Sequence, residues 1–553
     1  MGTSEKRGLI RRRAVRAATL AAFVAAAGCT SSAYRRSADR EVDAILTGKS
    51  KTVRREREDA MVFPRESVPG EEGRTPAGID REPPIEVPEV VTLVDSLRIA
   101  TTANREYTSR GESLYLAALA LTGARFAFGP RFDATLSYLT RKASGVERAD
   151  ASAATLTGSQ ILPTGGTITA SAASTGTIDR EAGEDYMTDA TLRASLKQPL
   201  LRGFGYEASH ELLTQSERDV VYAVRDFARY REEFLLDITR RHYDILAQRV
   251  VLRNTEARYA DAEFQLRRTE ALFEIGRQDK LEVLRAENDL LRVQNDVIDA
   301  RDSLGLQIDQ MKVFLGLPTT VKFEFAEEVP QFLRVDVSLA TAVEAALANR
   351  FDLMNARDRL EDAVRGLRIA RQNLYPDLSL EASWSGTSLP GPAYRDHAFH
   401  DQVGSVGLVL EIPLQQTIER NAFRSAEIAM DRQRRDYEKF RDDVVVEVRQ
   451  TLRALRQASD SLTIQDKIIH VEEKRTEKAN LDFEAGRIGN RDMLEAKRSL
   501  LDARNERVRR AVQYELARIN LERAMGTLEV EPDGTWRTRR SPETASAGGE
   551  APR

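Results

Sequence analysis

The stretch Phe273-Glu274-Ile275-Gly276-Arg277 recurs further along the chain as Phe483-Glu484-Ala485-Gly486-Arg487. The likeness continues beyond these five residues: aligned without a gap, residues 273–316 and 483–526 are identical at 11 of 44 positions. A sequence that resembles itself at a fixed spacing indicates a duplicated structural unit. The chain is therefore predicted to contain two repeats, residues 91–320 and residues 335–528.

A very long helix leads into each copy. No Gly or Pro occurs between Tyr206 and Ile275, or between Leu414 and Ala485. Such a helix measures about 100 Å, because each residue adds about 1.5 Å. Its apolar residues form a narrow stripe at coiled-coil spacing, which predicts lateral packing against other helices with water on the remaining faces. Shorter helices are predicted at residues 96–128, 277–315, 339–374 and 490–525. Two of them placed end to end have the length of one long helix.

Segments of alternating polarity precede the long helices. In residues 377–385, apolar side chains (Leu378, Leu380, Ala382 and Trp384) alternate with Ser and Glu. This pattern predicts β-hairpin regions at residues 131–199 and 377–413. Within the longer first region, residues 143–186 fit either a long bent strand or an added hairpin. A half-buried sheet in a soluble protein is one interpretation; a membrane barrel would need several chains, because closure takes about eight strands.

The N-terminus has the pattern of an export signal. Basic residues within the first 16 positions precede the apolar stretch at residues 17–28 and Cys29, the only cysteine of the chain. We interpret residues 1–28 as a signal peptide. The small residues before Cys29 resemble a bacterial lipoprotein cleavage box, which makes Cys29 the candidate lipidation site, and Thr30 favours the outer membrane. The Pro-rich residues 29–90 are predicted to form a mostly extended linker with a short helix near residues 40–60, and residues 529–553 a disordered tail.

Several stretches, taken in their order and spacing, resemble the TolC-type family of outer-membrane efflux and secretion channels. They are residues 345–353, 370–378 and 198–203 and the two Phe-x-x-Gly-Arg turns. The resemblance implies a mostly α fold with a membrane β-barrel. Three copies would form one twelve-stranded barrel, with four strands per chain, on a long α-helical coiled-coil tunnel in the periplasm. It also implies an outer-membrane location and a passive exit duct, which an inner-membrane pump of the RND or ABC type drives through a periplasmic adaptor protein.

The same resemblance gives roles to residues at and after the two turns. The implied adaptor-docking tips are Gly276, Arg277 and Leu284 in the first repeat and Gly486, Arg487 and Leu494 in the second. A simple helix corner would explain the two glycines but not the shared Arg and Leu. The implied tunnel constriction is lined by Asp492 and Glu495, which share a helix face, and by Glu282, where carboxylates would attract cations. An exposed acidic helix start is the alternative.

The composition and the missing motifs argue against other functions. Lys and Arg (83) nearly balance Asp and Glu (87), a net charge of −4 that argues against nucleic-acid binding. No nucleophile elbow, phosphate loop or zinc-binding helix motif occurs, so neither an enzyme nor a metal or cofactor site is predicted. Small-molecule efflux and type I protein secretion both remain open. A periplasmic coiled-coil tether without a pore is the competing interpretation, and the strand alternation argues against it.

Overall fold

The structure, a computed structural model, describes residues 31–57, 87–143, 146–179, 187–327, 335, 337–389, 399–530 and 536–538. The helices are α1 Ser31–Arg57, α2 Leu93–Ala103, α3 Arg105–Phe128, α4 Tyr206–Ser209, α5 Glu211–Glu274, α6 Lys280–Phe314, α7 Leu339–Asn349, α8 Phe351–Gln372, α9 Thr417–Glu484 and α10 Asn490–Met525. The strands are β1 Val90–Val91, β2 Arg131–Ala143, β3 Val146–Ile161, β4 Thr167–Asp179, β5 Met187–Pro199, β6 Glu324–Phe325, β7 Asp377–Ser388, β8 Phe399–Glu411, β9 Leu528–Val530 and β10 Trp536–Thr538.

Long helices dominate the chain. The two that the sequence predicted are α5, of 64 residues, and α9, of 68 residues. Among the described residues, no helix is both long enough and apolar enough to cross a bilayer. The chain divides into two compact units: residues 1–53, 113–224 and 361–431 form the first, and residues 54–112, 225–360 and 432–553 form the second.

The first unit contains one antiparallel sheet of six strands, in the order β2-β3-β4-β5-β7-β8. Strand β5 pairs with β7, so the strands of both sequence halves join in one sheet. Residues 149–161 of β3 pair with residues 167–179 of β4. The chain reverses between these strands, where the Leu162 amide donates to the Gly166 carbonyl at 2.7 Å. Within the region 143–186, β3 and β4 therefore form an added hairpin, and the expectation of four strands per chain is wrong because this reversal creates two more.

Helix α1 packs on α3 in the first unit and runs parallel to it. The Tyr115 hydroxyl donates to Asp39 at 2.6 Å. Ten residues further along each helix, Lys49 and Arg125 both pair with Glu217, at 3.5 and 3.1 Å. The two helices are therefore parallel. Both run toward the strands, because β2 follows the end of α3.

Both ends of the chain contain more structure than the sequence predicted. The short helix expected near residues 40–60 is longer in the structure: residues 31–57 form α1, in which Val42, Ile45, Leu46 and Val53 are buried. In the segment assigned to a disordered tail, β10 pairs antiparallel with β9. Residues 1–30, which include the predicted signal peptide, and residues 58–86, 531–535 and 539–553 lie outside the described residues.

The core of the second unit is built on α7, α9 and α10. Helix α9 contributes a stripe of buried side chains at spacings of three, four and seven residues: Val444, Val448, Leu452, Leu455 and Leu462. Ala342 and Ala346 of α7 and Tyr514 and Leu521 of α10 pack in the same cluster. This is the narrow coiled-coil face that the sequence predicted, and it leaves the other faces of α9 to charged residues.

Two helices that the sequence predicted as continuous are interrupted. Asn104 separates α2 from α3, and Arg350 separates α7 from α8, each with an extended backbone (ψ 125° and 120°). The Asn104 side-chain amide donates to the Phe314 carbonyl at 2.5 Å, and its oxygen accepts from the Tyr107 amide at 2.8 Å. These bonds to other parts of the second unit stabilise the break, so the helical spacing on either side could not reveal it.

Candidate functional site

The six-stranded sheet has one apolar and one polar face. On the apolar face, Phe132, Leu136 and Val406 are 75, 80 and 78% exposed. The strand register places further large apolar side chains on the same face: Tyr138, Leu156, Ile168, Trp384, Leu408 and Leu410. An exposed apolar surface of this extent is typical of a face that contacts lipid or another protein.

The opposite face of the sheet is mainly polar. It carries the side chains Thr155, Thr157, Thr169, Ser171, Arg193, Ser195, Glu381 and Ser405. Lys197 of β5 pairs with Glu381 of β7 at 3.0 Å, and the hydroxyls of Ser383 and Ser405 lie 2.8 Å apart. The sheet is therefore amphipathic, as the alternation predicted, and it can separate an apolar phase from water.

Both predicted turns end a long helix in the same way. The Gly276 amide donates to the Phe273 carbonyl at 2.9 Å, and the Gly486 amide to the Phe483 carbonyl at 3.0 Å. The next amide in each turn donates one residue further back, a Schellman-type cap. Both glycines have φ of +72°, and a Cβ on either would meet no atom within 4 Å. The glycines are thus required for backbone conformation and leave the turn surfaces open.

The side chains at the two turns differ although the sequences agree. Arg277 is exposed, whereas Arg487 pairs with Asp482 at 3.5 Å. Leu284 is 50% exposed, whereas its counterpart Leu494 is half-buried. The two turns therefore share a backbone conformation, whereas the surroundings of their side chains differ.

The predicted constriction carboxylates lie at the starts of α6 and α10. Glu282 and Asp492 occupy the first turns, where the helix dipole favours negative charge. Glu282 is half-buried and pairs with Arg285, while Glu495 pairs with Arg475 at 3.5 Å. Asp492 is exposed. Glu282 and Asp492 occupy equivalent places in the two repeats, but their surroundings differ.

A buried ion-pair network in the second unit was not predicted from the sequence. Arg350, at the break between α7 and α8, has a side chain only 3% exposed. Its guanidinium donates to both carboxylate oxygens of Asp352, at 3.0 and 2.6 Å, and to Glu447 of α9. Arg523 of α10 donates to the other oxygen of Glu447 at 2.9 Å. The network ties three helices together, and its only signal in the sequence is an Arg two residues before an Asp.

The network changes the ionisation of Asp352. Burial alone would raise the pKa of this carboxyl, because the charged form loses its hydration. Hydrogen bonds from Arg350 and the charge of Arg229 outweigh burial and hold the pKa of Asp352 below its usual value. The pair is therefore charged at neutral pH and acts as a clamp between helices.

The remaining two expectations concern the lipidation of Cys29 and metal binding. Cys29, the candidate lipidation site, lies outside the described residues. In the part of the chain that the structure describes, no three His, Cys, Asp or Glu side chains are grouped so that they could hold a metal ion.

Comparison with known proteins identifies the family. Residues 342–527 match the sequence model of the family described as outer membrane efflux protein. This part of the chain is thus similar to outer membrane efflux proteins. A comparison of the chain with curated protein sequences gives no match. The resemblance predicted from the sequence is confirmed, and the family's description carries the outer-membrane location and the efflux role that we predicted.

Solved structures share the fold of this chain. The Campylobacter jejuni CmeC outer membrane channel is 14% identical with a TM-score of 0.59, covering 82% of this chain and 88% of its own. VceC from Vibrio cholerae is 14% identical with a TM-score of 0.58, covering 78% and 96%. The open state of the Neisseria gonorrhoeae MtrE channel is 14% identical with a TM-score of 0.51, covering 78% and 88%. At these identities the likeness establishes the fold: long helices joined to an antiparallel sheet.

Proposed function

We propose that the protein is the outer-membrane exit duct of a tripartite efflux or type I secretion system. In this proposal three copies form one passive channel, with a β-barrel in the outer membrane and a helical tunnel in the periplasm. The observation that carries the proposal is the amphipathic six-stranded sheet. Its apolar face suits the acyl chains of the outer membrane, and its polar face suits a water-filled lumen. A tether without a pore has no use for such a sheet.

The edges of the sheet support assembly from several copies. Among the described residues, β2 pairs only with β3, and β8 only with β7. The outer backbone groups of both strands then have no partner in the sheet, and hydrocarbon cannot hydrogen-bond them. A single chain is therefore not a stable membrane species, and closure of the sheet by further copies satisfies both edges.

The two helix turns are the proposed contact with the periplasmic adaptor, which in turn connects to an inner-membrane RND or ABC-type pump. The exposed Arg277 and the open space around Gly276 and Gly486 support this assignment. Leu284 and Leu494 follow at equal distances from the turns. Asp492, Glu495 and Glu282 are proposed to line the constriction near this end of the tunnel, where carboxylates from three copies would favour cations.

Lipidation of Cys29 is proposed on the sequence pattern, and α1 constrains how the anchor is reached. Helix α1 begins at Ser31, two residues later, and runs in step with α3 toward the strands. At 1.5 Å per residue, the level of Ser31 lies about 30 Å from the strand end of α3. A lipid on Cys29 that enters the leaflet beside the barrel therefore requires α1 to separate from α3.

A pair of substitutions at one turn tests the proposed duct. Gly486→Asp and Gly486→Ala impose the same backbone strain, because both place a Cβ at φ of +72° in open space. Only the Asp adds a charge that must lose its hydration at a protein contact. We expect both variants to form trimers, with a mass about three times that of the chain by light scattering, and only the Asp variant to lose export. A monodisperse wild-type monomer, or normal export by Gly486→Asp at wild-type trimer levels, would contradict the proposal.

A further inference from the structure

The added hairpin β3–β4 is built into the middle of the sheet. It lies between β2 and β5, and it pairs with both along most of its length. Its apolar side chains Leu156 and Ile168 lie on the apolar face of the sheet, and Thr157 and Thr169 lie on the polar face. Both faces of the sheet thus continue across the hairpin without interruption, so it cannot leave the sheet without breaking two strand pairings.

The turn of this hairpin is also fixed to the corner between β5 and the helices. The Gly205 amide donates to the Thr164 carbonyl at 3.0 Å, and Gln198 exchanges hydrogen bonds with Thr164 at 2.6 and 3.0 Å. Gly165 has φ of +90°, and a Cβ there would lie 2.4 Å from the Gly203 carbonyl oxygen. Such a close approach requires glycine, which indicates that the hairpin is anchored to this corner.

We infer that the assembled channel has an eighteen-stranded barrel, formed by pairing β8 of each copy with β2 of the next. The inference rests on the proposed trimer, since three copies of six strands give eighteen. The two edge strands suit each other: each has 13 residues. They also run in opposite directions, because an even number of antiparallel strands ends opposite to how it began. The pairing therefore continues the antiparallel pattern around the whole barrel.

The strand number determines the width of the barrel. With strands about 4.8 Å apart and tilted by about 40°, eighteen strands enclose a backbone diameter of about 36 Å. Twelve strands at the same spacing and tilt enclose about 24 Å. The hairpin adds small hydroxyl and alanine side chains to the polar face (Ala153, Thr155, Thr157, Thr169, Ser171 and Ala173). The added strands therefore widen the lumen, and their small side chains leave the added space open.

The first test is the diameter of the wild-type barrel. Trimers in lipid nanodiscs are imaged by electron cryomicroscopy, and export and mass are measured on the same protein. A backbone diameter near 36 Å supports the inference. A diameter near 24 Å in an export-competent trimer overturns the inference and leaves the proposed duct intact. Absence of a trimer overturns both.

The second test is cross-linking between the edge strands. In a Cys29→Ser background, Thr135→Cys on β2 is combined in turn with cysteine at residues 403, 405, 407 and 409 of β8, all on the polar face. We expect at least one pair to give disulfide-linked trimers. Ser171→Cys on β4 with the same four positions is the control, and it should give none. Linkage through Ser171→Cys, or no linkage through Thr135→Cys in assembled trimers, contradicts the pairing of β8 with β2.

Discussion

Alanine at three glycines with the same backbone conformation should destabilise the protein to very different extents. Gly316, Gly486 and Gly526 all end helices with positive φ, at +79°, +72° and +68°. Any L-residue at such a position costs about 1–2 kcal/mol. That cost is common to the three sites, so differences between the variants report only what surrounds each glycine.

The atoms around each glycine predict the order in which the three variants are destabilised. A Cβ on Gly486 would meet no atom within 4 Å, so Gly486→Ala should cost only the backbone term. On Gly526 it would lie 3.1 Å from the Asn349 carbonyl carbon, which a shift of a few tenths of an ångström relieves. On Gly316 it would lie 2.1 Å from the Ala103 carbonyl oxygen, so the backbone itself must move. Overpacking of this kind adds about 1–3 kcal/mol, which brings Gly316→Ala to about 2–5 kcal/mol.

Urea unfolding followed by helical circular dichroism measures this order on the detergent-solubilised protein. We expect the midpoint to fall least for Gly486→Ala, more for Gly526→Ala and most for Gly316→Ala. The first variant serves as the control for the other two, because it carries the same backbone strain. Equal midpoints for Gly316→Ala and Gly486→Ala would refute the reasoning, since the close approach between α2 and the end of α6 would then be absent from the protein.

Three further predictions concern the ion-pair network, the lipid anchor and the constriction. Arg350→Ala removes one partner of a buried ion pair and should destabilise the protein by about 3–5 kcal/mol at neutral pH. Because the pKa of Asp352 is lowered in the folded state, the stabilisation is fully present above the usual aspartate pKa of about 4. It is lost as the pH falls through the lowered pKa, so the difference in urea midpoint between wild type and variant should shrink below about pH 4. Cys29→Ser should abolish labelling with radioactive palmitate, and persistent label would exclude this attachment site. Asp492→Asn combined with Glu495→Gln should reduce cation preference in planar bilayers; unchanged selectivity would show that these carboxylates do not line the constriction.

The helix ends were predictable from the sequence, whereas the breaks within helices were not. Gly276 and Gly486 mark the ends of α5 and α9 to within two residues, because a left-handed cap is a local requirement. Asn104 and Arg350, in contrast, are not residue types that indicate a helix end in the sequence. Each takes an extended conformation because its side chain bonds to residues far away in sequence. Spacing of apolar residues reports local periodicity only, so it could not reveal these tertiary bonds.

The strand number was hidden for a related reason. In residues 151–161 of β3 and 167–177 of β4, the apolar face consists mainly of Ala, Ser and Gly, and its large apolar side chains are Leu156 and Ile168. Alternation between small side chains gives almost no hydrophobic signal, and neighbouring strands supply the larger apolar residues. The full length of helix α1 was not predicted because its four buried residues lie among many charged ones. In both places the partner of the element, more than its own composition, decides the structure.

In the proposed trimer, the exposed stripe on α6 is the predicted contact with a second copy. Leu284, Leu291 and Ile298 follow one another at intervals of seven residues and are 50, 54 and 58% exposed. Their counterparts on α10 are half-buried, because α10 packs on α5: Asn254 donates to Asn505 at 2.6 Å.

Because the two repeats match residue by residue, the contact between α5 and α10 predicts an equivalent contact between two copies. The counterpart of Asn254 is Ile464 on α9, which is 56% exposed, and the counterpart of Asn505 is Asn295 on α6. In a ring of identical chains, α9 of one copy would then pack on α6 of the next by the contacts that α5 and α10 make within one chain. Ile464→Cys with Asn295→Cys, in a Cys29→Ser background, should therefore give disulfide-linked trimers, while either cysteine alone should not. Assembled trimers that resist this cross-link would show that the exposed stripe faces something other than a second copy.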